Sequence, residues 1–394
     1  MKAHKPENAH PLLRKRDGHH ARITFEELFF DLIYAFAITQ LSHNLLHNLS
    51  IIGVIETLVL WFAVWLGWQY TCWVTNWFEP ETFKIRSVLF ATTGIGLIMT
   101  AAIPFAFESN GWIFAAAYMV MQLGRTGYIV YELGQNQQLT SNYRRMFGWL
   151  LISATFWIAG AFVEDGTRIL LWALAVLCEY TSPMFGFRLP FMGRSHTSDW
   201  TIEGGHLTER CQLFVIVALG ETLLATGGTL SQAEQWNVEV ISAMLATFIA
   251  TLSIWWLYFG TSEKEATYAI THSTDPGKIG AYYHYIHVVL IAGIIVSAVG
   301  NDLVLDHPNT ELTVKYCIVL ISGPAIFLLG SAIYKKAVYS ILPITHICGV
   351  IALIILIFIS SVVTMLIMGW ITSVVMLSVA VCENCVHRNK ASLR

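Results

Sequence analysis

Residues 51–77 read IIGVIETLVLWFAVWLGWQYTCWVTNW, an apolar run with one charged side chain, Glu56. A bilayer core about 30 Å thick is crossed by about 20 helical residues, so this stretch reads as a membrane span with length to spare. Runs of the same kind continue on both sides. The sequence predicts helices at about 25–46, 51–77, 86–107, 111–132, 144–163, 168–186, 207–230, 237–259, 280–300, 312–334, 341–360 and 362–382. The break between the last two, near Ser360 and Ser361, decides between eleven spans and twelve.

Composition agrees. Of 394 residues, 55% are hydrophobic and 12% charged, and the mean hydropathy is +0.58. A soluble domain carries about 25% charged residues, so this chain has too little polar surface to solvate its bulk in water. A net charge of -3 supplies no basic field for nucleic acid. Seven cysteines lie mostly in apolar runs and read as small fillers. Cys382 and Cys385 form a C-x-x-C with His387 beyond, short of the ligand set that zinc needs. Residues 1–24 are polar and basic with no apolar core, so the first apolar stretch reads as a retained span.

Lys and Arg placement orients the chain. Most of the 23 fall in the N-terminal tail, in alternate loops (Lys84 and Arg86, Arg144 and Arg145, Arg188 and Arg194, Lys264 and Lys278, Lys335 and Lys336) and in the C-terminal tail. That bias places these loops and both termini in the cytoplasm and requires an even number of crossings. Trp73, Trp77, Trp112, Trp200 and Trp236 sit near predicted span ends and read as interfacial anchors.

The two halves echo each other. Ile23 to Glu27 running into Phe29-Phe30 resembles Leu207 to Arg210 running into Leu213-Phe214, and Leu174 to Glu179 resembles Val379 to Glu383. The expected fold is an all-α polytopic bundle of about twelve spans in two parallel six-span repeats. Its parts are a cytoplasmic basic tail at 1–24, a first half at 25–186, a cytoplasmic linker at 187–206, a second half at 207–382 and a cytoplasmic tail at 383–394.

An ionisable side chain at the bilayer centre costs at least about 2.5–3.5 kcal/mol, so each asks for a partner or a water path. Glu27 and Asp31 share one helical face at i, i+4, and His43 follows toward the far end of the same span. Glu209, Arg210 and Glu221 lie in the seventh span, Arg125 in the fourth and His287 in the ninth. Gly220 beside Glu221 invites close helix approach, and Arg125 is the expected counter-ion of Glu221. Gly293, Gly300 and Gly323 with Pro324 mark close packing or a broken helix. These eight polar residues form the candidate pathway or ion-pair network. No motif assigns a catalytic residue, metal or cofactor, and an enzyme ranks below transport.

The string Glu27-Leu28-Phe29-Phe30-Asp31-Leu32, continuing through Ala37 to His43, resembles the opening signature of the bacterial low temperature requirement protein A family. Trp73 to Phe78, Glu209 with Phe214 to Thr222, and His287 with Gly293 to Gly300 and His307-Pro308 fit it in order. The resemblance implies a multi-pass protein of a bacterial plasma membrane that contributes to growth in the cold, and it brings no catalytic residues. Phe30-Asp31 is also similar to the Phe-Ser-Asp motif of a lysosomal potassium channel family of six-span repeats, with Phe in place of Ser. The expected function is therefore a transporter or channel for an ion or small solute. The alternative is a structural or stress-adaptation protein, or a lipid-acting enzyme, without transport. The expected partners are the lipid bilayer and a small solute, with no nucleic acid.

Overall fold

The computed structural model describes residues 10–16, 21–134, 138–196, 202–233, 235–260, 275–339 and 341–392. His19, His20, Trp200 and Lys264 lie outside the described residues. Twelve α-helices run through the described residues: α1 Phe25–His47, α2 Ile51–Trp77, α3 Phe83–Ala101, α4 Gly111–Leu133, α5 Gln138–Ala161, α6 Asp165–Met184, α7 Gly204–Gln232, α8 Val238–Phe259, α9 Pro276–Asp306, α10 Val314–Tyr339, α11 Ile344–Ile355 and α12 Met365–Ser392. No strand forms among the described residues beyond isolated bridges. The break near Ser360 is real: α11 passes into a 3-10 turn over Leu356–Val362, Val363 is extended, and α12 starts two residues on. α12 continues ten residues past its predicted end at 382.

Local chemistry sets several helix starts. Thr24 and Glu27 form a capping box, with Thr24 N–H donating to Glu27 Oε2 at 3.0 Å and Glu27 N–H to Thr24 Oγ1 at 3.4 Å. Ser50 caps α2 through Gly53 N–H, and Asn237 caps α8 through Val240 N–H.

Among the described residues eight helices are long and apolar enough to cross a bilayer: α2, α3 and α7 to α12, the α11 span including its 3-10 turn. α1, α4, α5 and α6 have the length, at 23, 23, 24 and 20 residues. Their apolarity is diluted by side chains that the fold buries: Glu27 and Asp31 on α1, Gln122 and Arg125 on α4, Asn142 and Ser153 on α5, Arg168 and Glu179 on α6.

The chain divides into two compact units, the first drawn from Met1–Gln40, Ser50–Arg210 and Ser273–Gly280, the second from Leu41–Leu49, Cys211–His272 and Ala281–Arg394. In the first, α3 packs on α4, α4 on α5, α5 on α6, and α2 on both α4 and α6. Its core is aromatic, with Phe114, Tyr118, Trp157 and Trp172 in mutual ring contact at 4.9–6.3 Å. Trp73 and Trp77 belong to this core: both are buried, and Tyr143 of α5 lies edge-on to Trp77. The belt role expected of them is corrected, because α5 covers the end of α2 where headgroups would have been. Trp112 and Trp236 are exposed, as anchors would be.

In the second unit α8 packs on α12 and α10, and α10, α11 and α12 pack on one another. α9 and α10 meet backbone to backbone. A Cβ on Gly293 would lie 2.6 Å from Phe327 N, and one on Gly323 2.4 Å from Ser297 N. α10 runs unbroken through Pro324, so these glycines serve close packing. Gly220 differs: nothing described lies within 4 Å of its added Cβ, so the close approach expected there is absent. Gly293→Ala forces the two backbones apart and is expected to cost about 1–3 kcal/mol. Its thermal unfolding in detergent, set beside that of Gly220→Ala, measures this; equal midpoints would contradict it.

Candidate functional site: a buried charge network

Glu27 and Asp31 sit one turn apart on α1, and His206 and Arg210 one turn apart on α7. Both pairs are at i, i+4, so each helix offers one polar stripe, and within the first unit these stripes face each other. Arg210 bridges the two carboxylates, with Nη1 donating to Glu27 Oε1 at 2.9 Å and Nη2 to Asp31 Oδ1 at 2.6 Å. Trp68 Nε1 donates to the same Asp31 oxygen at 2.8 Å. Arg14, from the segment before α1, donates to Glu27 Oε2 at 3.0 Å and to the Thr75 carbonyl at 2.7 Å. All of these side chains are buried.

His206 completes the ring around Glu27, with Nε2 2.7 Å from Oε1. The neighbouring amide decides its tautomer. Asn76 Oδ1 accepts from Glu203 N–H, so Asn76 Nδ2 points the other way, donating to the Glu203 carbonyl at 2.9 Å and facing His206 Nδ1 at 3.2 Å. Nδ1 therefore accepts, and Nε2–H donates to Glu27. Glu203 also caps the start of α7 through His206 N–H. Glu27 thus accepts on its two oxygens from groups of four residues, Arg14, Thr24, His206 and Arg210. Asp31 Oδ2 and Arg210 Nε are buried without a hydrogen-bond partner among the described residues. Two guanidiniums face two carboxylates, so the formal charge balances while hydrogen bonding falls short at Asp31 and Arg210.

The counter-ion expected for Arg125 is corrected. Among the described residues Arg125 makes no ion pair; it donates to the Gly67 carbonyl at 3.2 Å, to Thr71 Oγ1 at 2.8 Å and to Gln122 Oε1. Gln122 passes the interaction on, donating from Nε2 to Glu179 Oε2 at 3.3 Å. Glu179 also accepts from Tyr118 OH at 2.5 Å, Ser153 Oγ at 2.9 Å and Trp157 Nε1 at 2.9 Å. The charge opposite Arg125 is therefore Glu179, reached through a carboxamide.

Glu209 is half-buried beside Arg210, and His43 is exposed. Glu221, in the second unit, is half-buried with no hydrogen bond or ion pair among the described residues. His287 is locked in the second unit, Nε2 2.6 Å from Tyr258 OH and Nδ1 2.8 Å from the Tyr283 carbonyl, with the Tyr334 ring edge-on. In the same unit Lys335 pairs with Glu383 and donates to the Leu257 carbonyl at 3.2 Å. Arg14 and Lys335, both assigned by their sequence positions to the water-facing cytoplasmic side, are buried ion-pair partners. A cavity between α8, α9, α10 and α12, lined by Thr247, Ser297, Asn301, Thr372 and Ser373, has about 20 Å³ of free space, enough for one water. No group of three or more His, Cys, Asp or Glu among the described residues is arranged to hold a metal.

Sequence reasoning named Glu27, Asp31 and Arg210 but missed Arg14, His206 and Trp68. The capping box at Thr24 and the i, i+4 repeat of His206 with Arg210 were the available signals.

The profile of the bacterial low temperature requirement A protein (LtrA) family matches residues 22–381, a range that holds the whole network except Arg14. An uncharacterized protein of Rhizobium meliloti (strain 1021), RA0937, is 35% identical over 347 residues, covering 87% of this chain and 84% of that one. No solved structure matches. With its apolar helices, the chain is an integral membrane protein, and it belongs to the bacterial low temperature requirement A protein family.

Proposed function

We propose that this protein moves an ion or small polar solute across the plasma membrane of a bacterium, and that this activity supports growth in the cold. The observation that carries the reading is the unsatisfied pair of buried polar atoms, Asp31 Oδ2 and Arg210 Nε, inside an otherwise saturated network. A network kept only for rigidity gains nothing from an orphan carboxylate oxygen, which costs about 1–3 kcal/mol when buried unmade. A transient ligand or a water chain would use it. Intramembrane ionisable residues of this kind line ion and proton routes in many transport proteins.

The proposal includes twelve spans, with both termini cytoplasmic. What supports the count is that α1, α4, α5 and α6 bury Glu27, Asp31, Gln122, Arg125, Asn142, Ser153, Arg168 and Glu179 away from lipid. It also includes two six-helix halves. The packing of α2 with α4 and α6, α4 with α5, and α5 with α6 recurs six helices later as α8 with α10 and α12, α10 with α11, and α11 with α12. Glu179 of α6, held from α4 and α5, has its counterpart in Glu383 of α12, which meets Lys335 of α10 and lies 3.8 Å from His346 of α11.

A role without transport is favoured by one observation, the complete hydrogen bonding of Glu179, which suits a rigid structural hub. Reconstitution separates the two readings. In proteoliposomes tested with protons and a panel of monovalent ions, the wild type is expected to conduct, and Asp31→Asn to lower the flux by about ten-fold or more. The same variant is expected to fail in rescuing cold growth of a strain lacking the gene. Flux indistinguishable from empty vesicles would sink the transport reading; normal flux in Asp31→Asn would remove Asp31 from the route.

A further inference from the structure

The end of α6 leads into a tightly built loop. Gly186, Phe187, Phe191 and Gly193 all take positive φ (62°, 51°, 64° and 71°), and a bulky side chain adopts that backbone only when its surroundings impose it. Several contacts impose it here. Phe187 N–H donates to the Ser182 carbonyl at 2.7 Å, and Ser195 N–H to the Gly186 carbonyl at 2.7 Å. A Cβ on Gly186 would lie 2.2 Å from Ser195 O, so only glycine fits. Leu189 bridges to Gly193. α5 clamps the loop from one side: Arg145 donates to Ser195 Oγ at 3.0 Å and to the Met192 carbonyl at 2.9 Å, and Trp149 to the Arg188 carbonyl at 3.2 Å. Phe187 and Ser195 are the buried anchors.

What this rigid frame displays is of two kinds. Met184, Phe185 and Phe191 are exposed, Phe191 completely. Beside them Arg188, Arg194 and His196 line an open pocket of about 330 Å³, with Gly186 also in its wall. Neither guanidinium has a carboxylate within ion-pair distance among the described residues. Fully exposed aromatic and thioether side chains are costly in water and at home at a bilayer surface, where arginines reach for headgroups. The size suits a headgroup, and the paired forks suit phosphate oxygens.

We propose that this loop is a docking site for a phosphate-bearing anionic phospholipid. Arg188 and Arg194 hold the phosphate, and Phe185 and Phe191 enter the acyl boundary. The site is separate from the α1–α7 network and does not depend on the transport reading.

The test uses the full-length protein purified in detergent, with lipid retention read by native mass spectrometry across a titration. Phosphatidylglycerol is expected to be retained where phosphatidylcholine is not. Arg188→Gln with Arg194→Gln is expected to weaken phosphatidylglycerol retention roughly thirty-fold, two basic contacts at a membrane surface. Arg86→Gln, which removes a half-buried arginine paired with Glu26, is expected to leave it unchanged. Equal loss in that control would reduce the effect to general charge and overturn the site. So would unchanged retention in the double variant. If inorganic phosphate competes as well as the lipid does, the pocket takes soluble anions and the lipid assignment fails. Should the double variant not fold, Phe191→Ser at its fully exposed position gives a second reading. It is expected to lower retention with unfolding unaltered, and retention equal to wild type would overturn the proposal.

Discussion

Arg210→Leu is expected to destabilise the protein by about 3–5 kcal/mol, because it leaves two carboxylates buried with one guanidinium between them. Arg14 reaches Glu27 but no Asp31 contact replaces the lost Nη2 bond. Arg210→Lys separates charge from geometry. An ammonium is a point charge on a flexible stem, and it cannot hold Glu27 Oε1 and Asp31 Oδ1 in parallel as the planar fork does. Its loss should fall between those of wild type and Arg210→Leu. Thermal or denaturant unfolding in detergent measures both, and a cycle with Asp31→Asn isolates the coupling. A Leu variant within about 1 kcal/mol of wild type would mean that the network contributes little to stability.

Glu179→Leu is the second large effect. It removes the acceptor of four donors at once, Tyr118 OH, Gln122 Nε2, Ser153 Oγ and Trp157 Nε1. Each buried donor left unmade costs about 1–3 kcal/mol, and since the four share one acceptor their losses do not add fully; at least about 3 kcal/mol is expected. Arg125 also loses the charge that Gln122 relays to it. Glu179→Gln keeps one acceptor oxygen, and the Tyr118 and Ser153 hydroxyls can rotate to accept from the new NH₂, so it should cost less than half as much. The ordering of Leu below Gln is the test, read from unfolding midpoints and from Trp157 fluorescence. Equal midpoints would show that Glu179 acts through its volume alone.

Most helix positions were legible because a membrane helix writes itself into sequence twice, as an apolar run and as the polar breaks around it. α2 and α8 ended within a residue of expectation. Errors fell where polar residues are helical. The first turns of α5 hold Asn142, Arg144 and Arg145, which hydropathy reads as loop but which face other protein groups or the surface. α12 likewise continues through Glu383, whose charge is cancelled by Lys335.

The site was legible only in part, for a definable reason. One stripe of a helix is visible in its own sequence, so Glu27 and Asp31 announced themselves. Which cation answers them depends on tertiary packing between segments 179 and 183 residues apart. On sequence alone Arg125 was the expected counter-ion of Glu221, and no cation was assigned to Glu27 and Asp31. Only the fold distinguishes an arginine hydrogen-bonded to a carbonyl, a hydroxyl and a glutamine from one that spans two carboxylates. Arg14 was hidden by its company, a run of basic residues that composition treats as solvated.

The 183 residues between Glu27 and Arg210 also set a schedule. A chain grows at about 5–20 residues per second, so α1 enters the membrane on the order of ten to forty seconds before Arg210 is synthesised. Through that interval Arg14, thirteen residues from Glu27, is the only basic member of the network already made. In the finished protein Arg14 still holds Glu27 Oε2 while Arg210 takes Oε1, so the later arginine adds to the earlier contact and does not replace it.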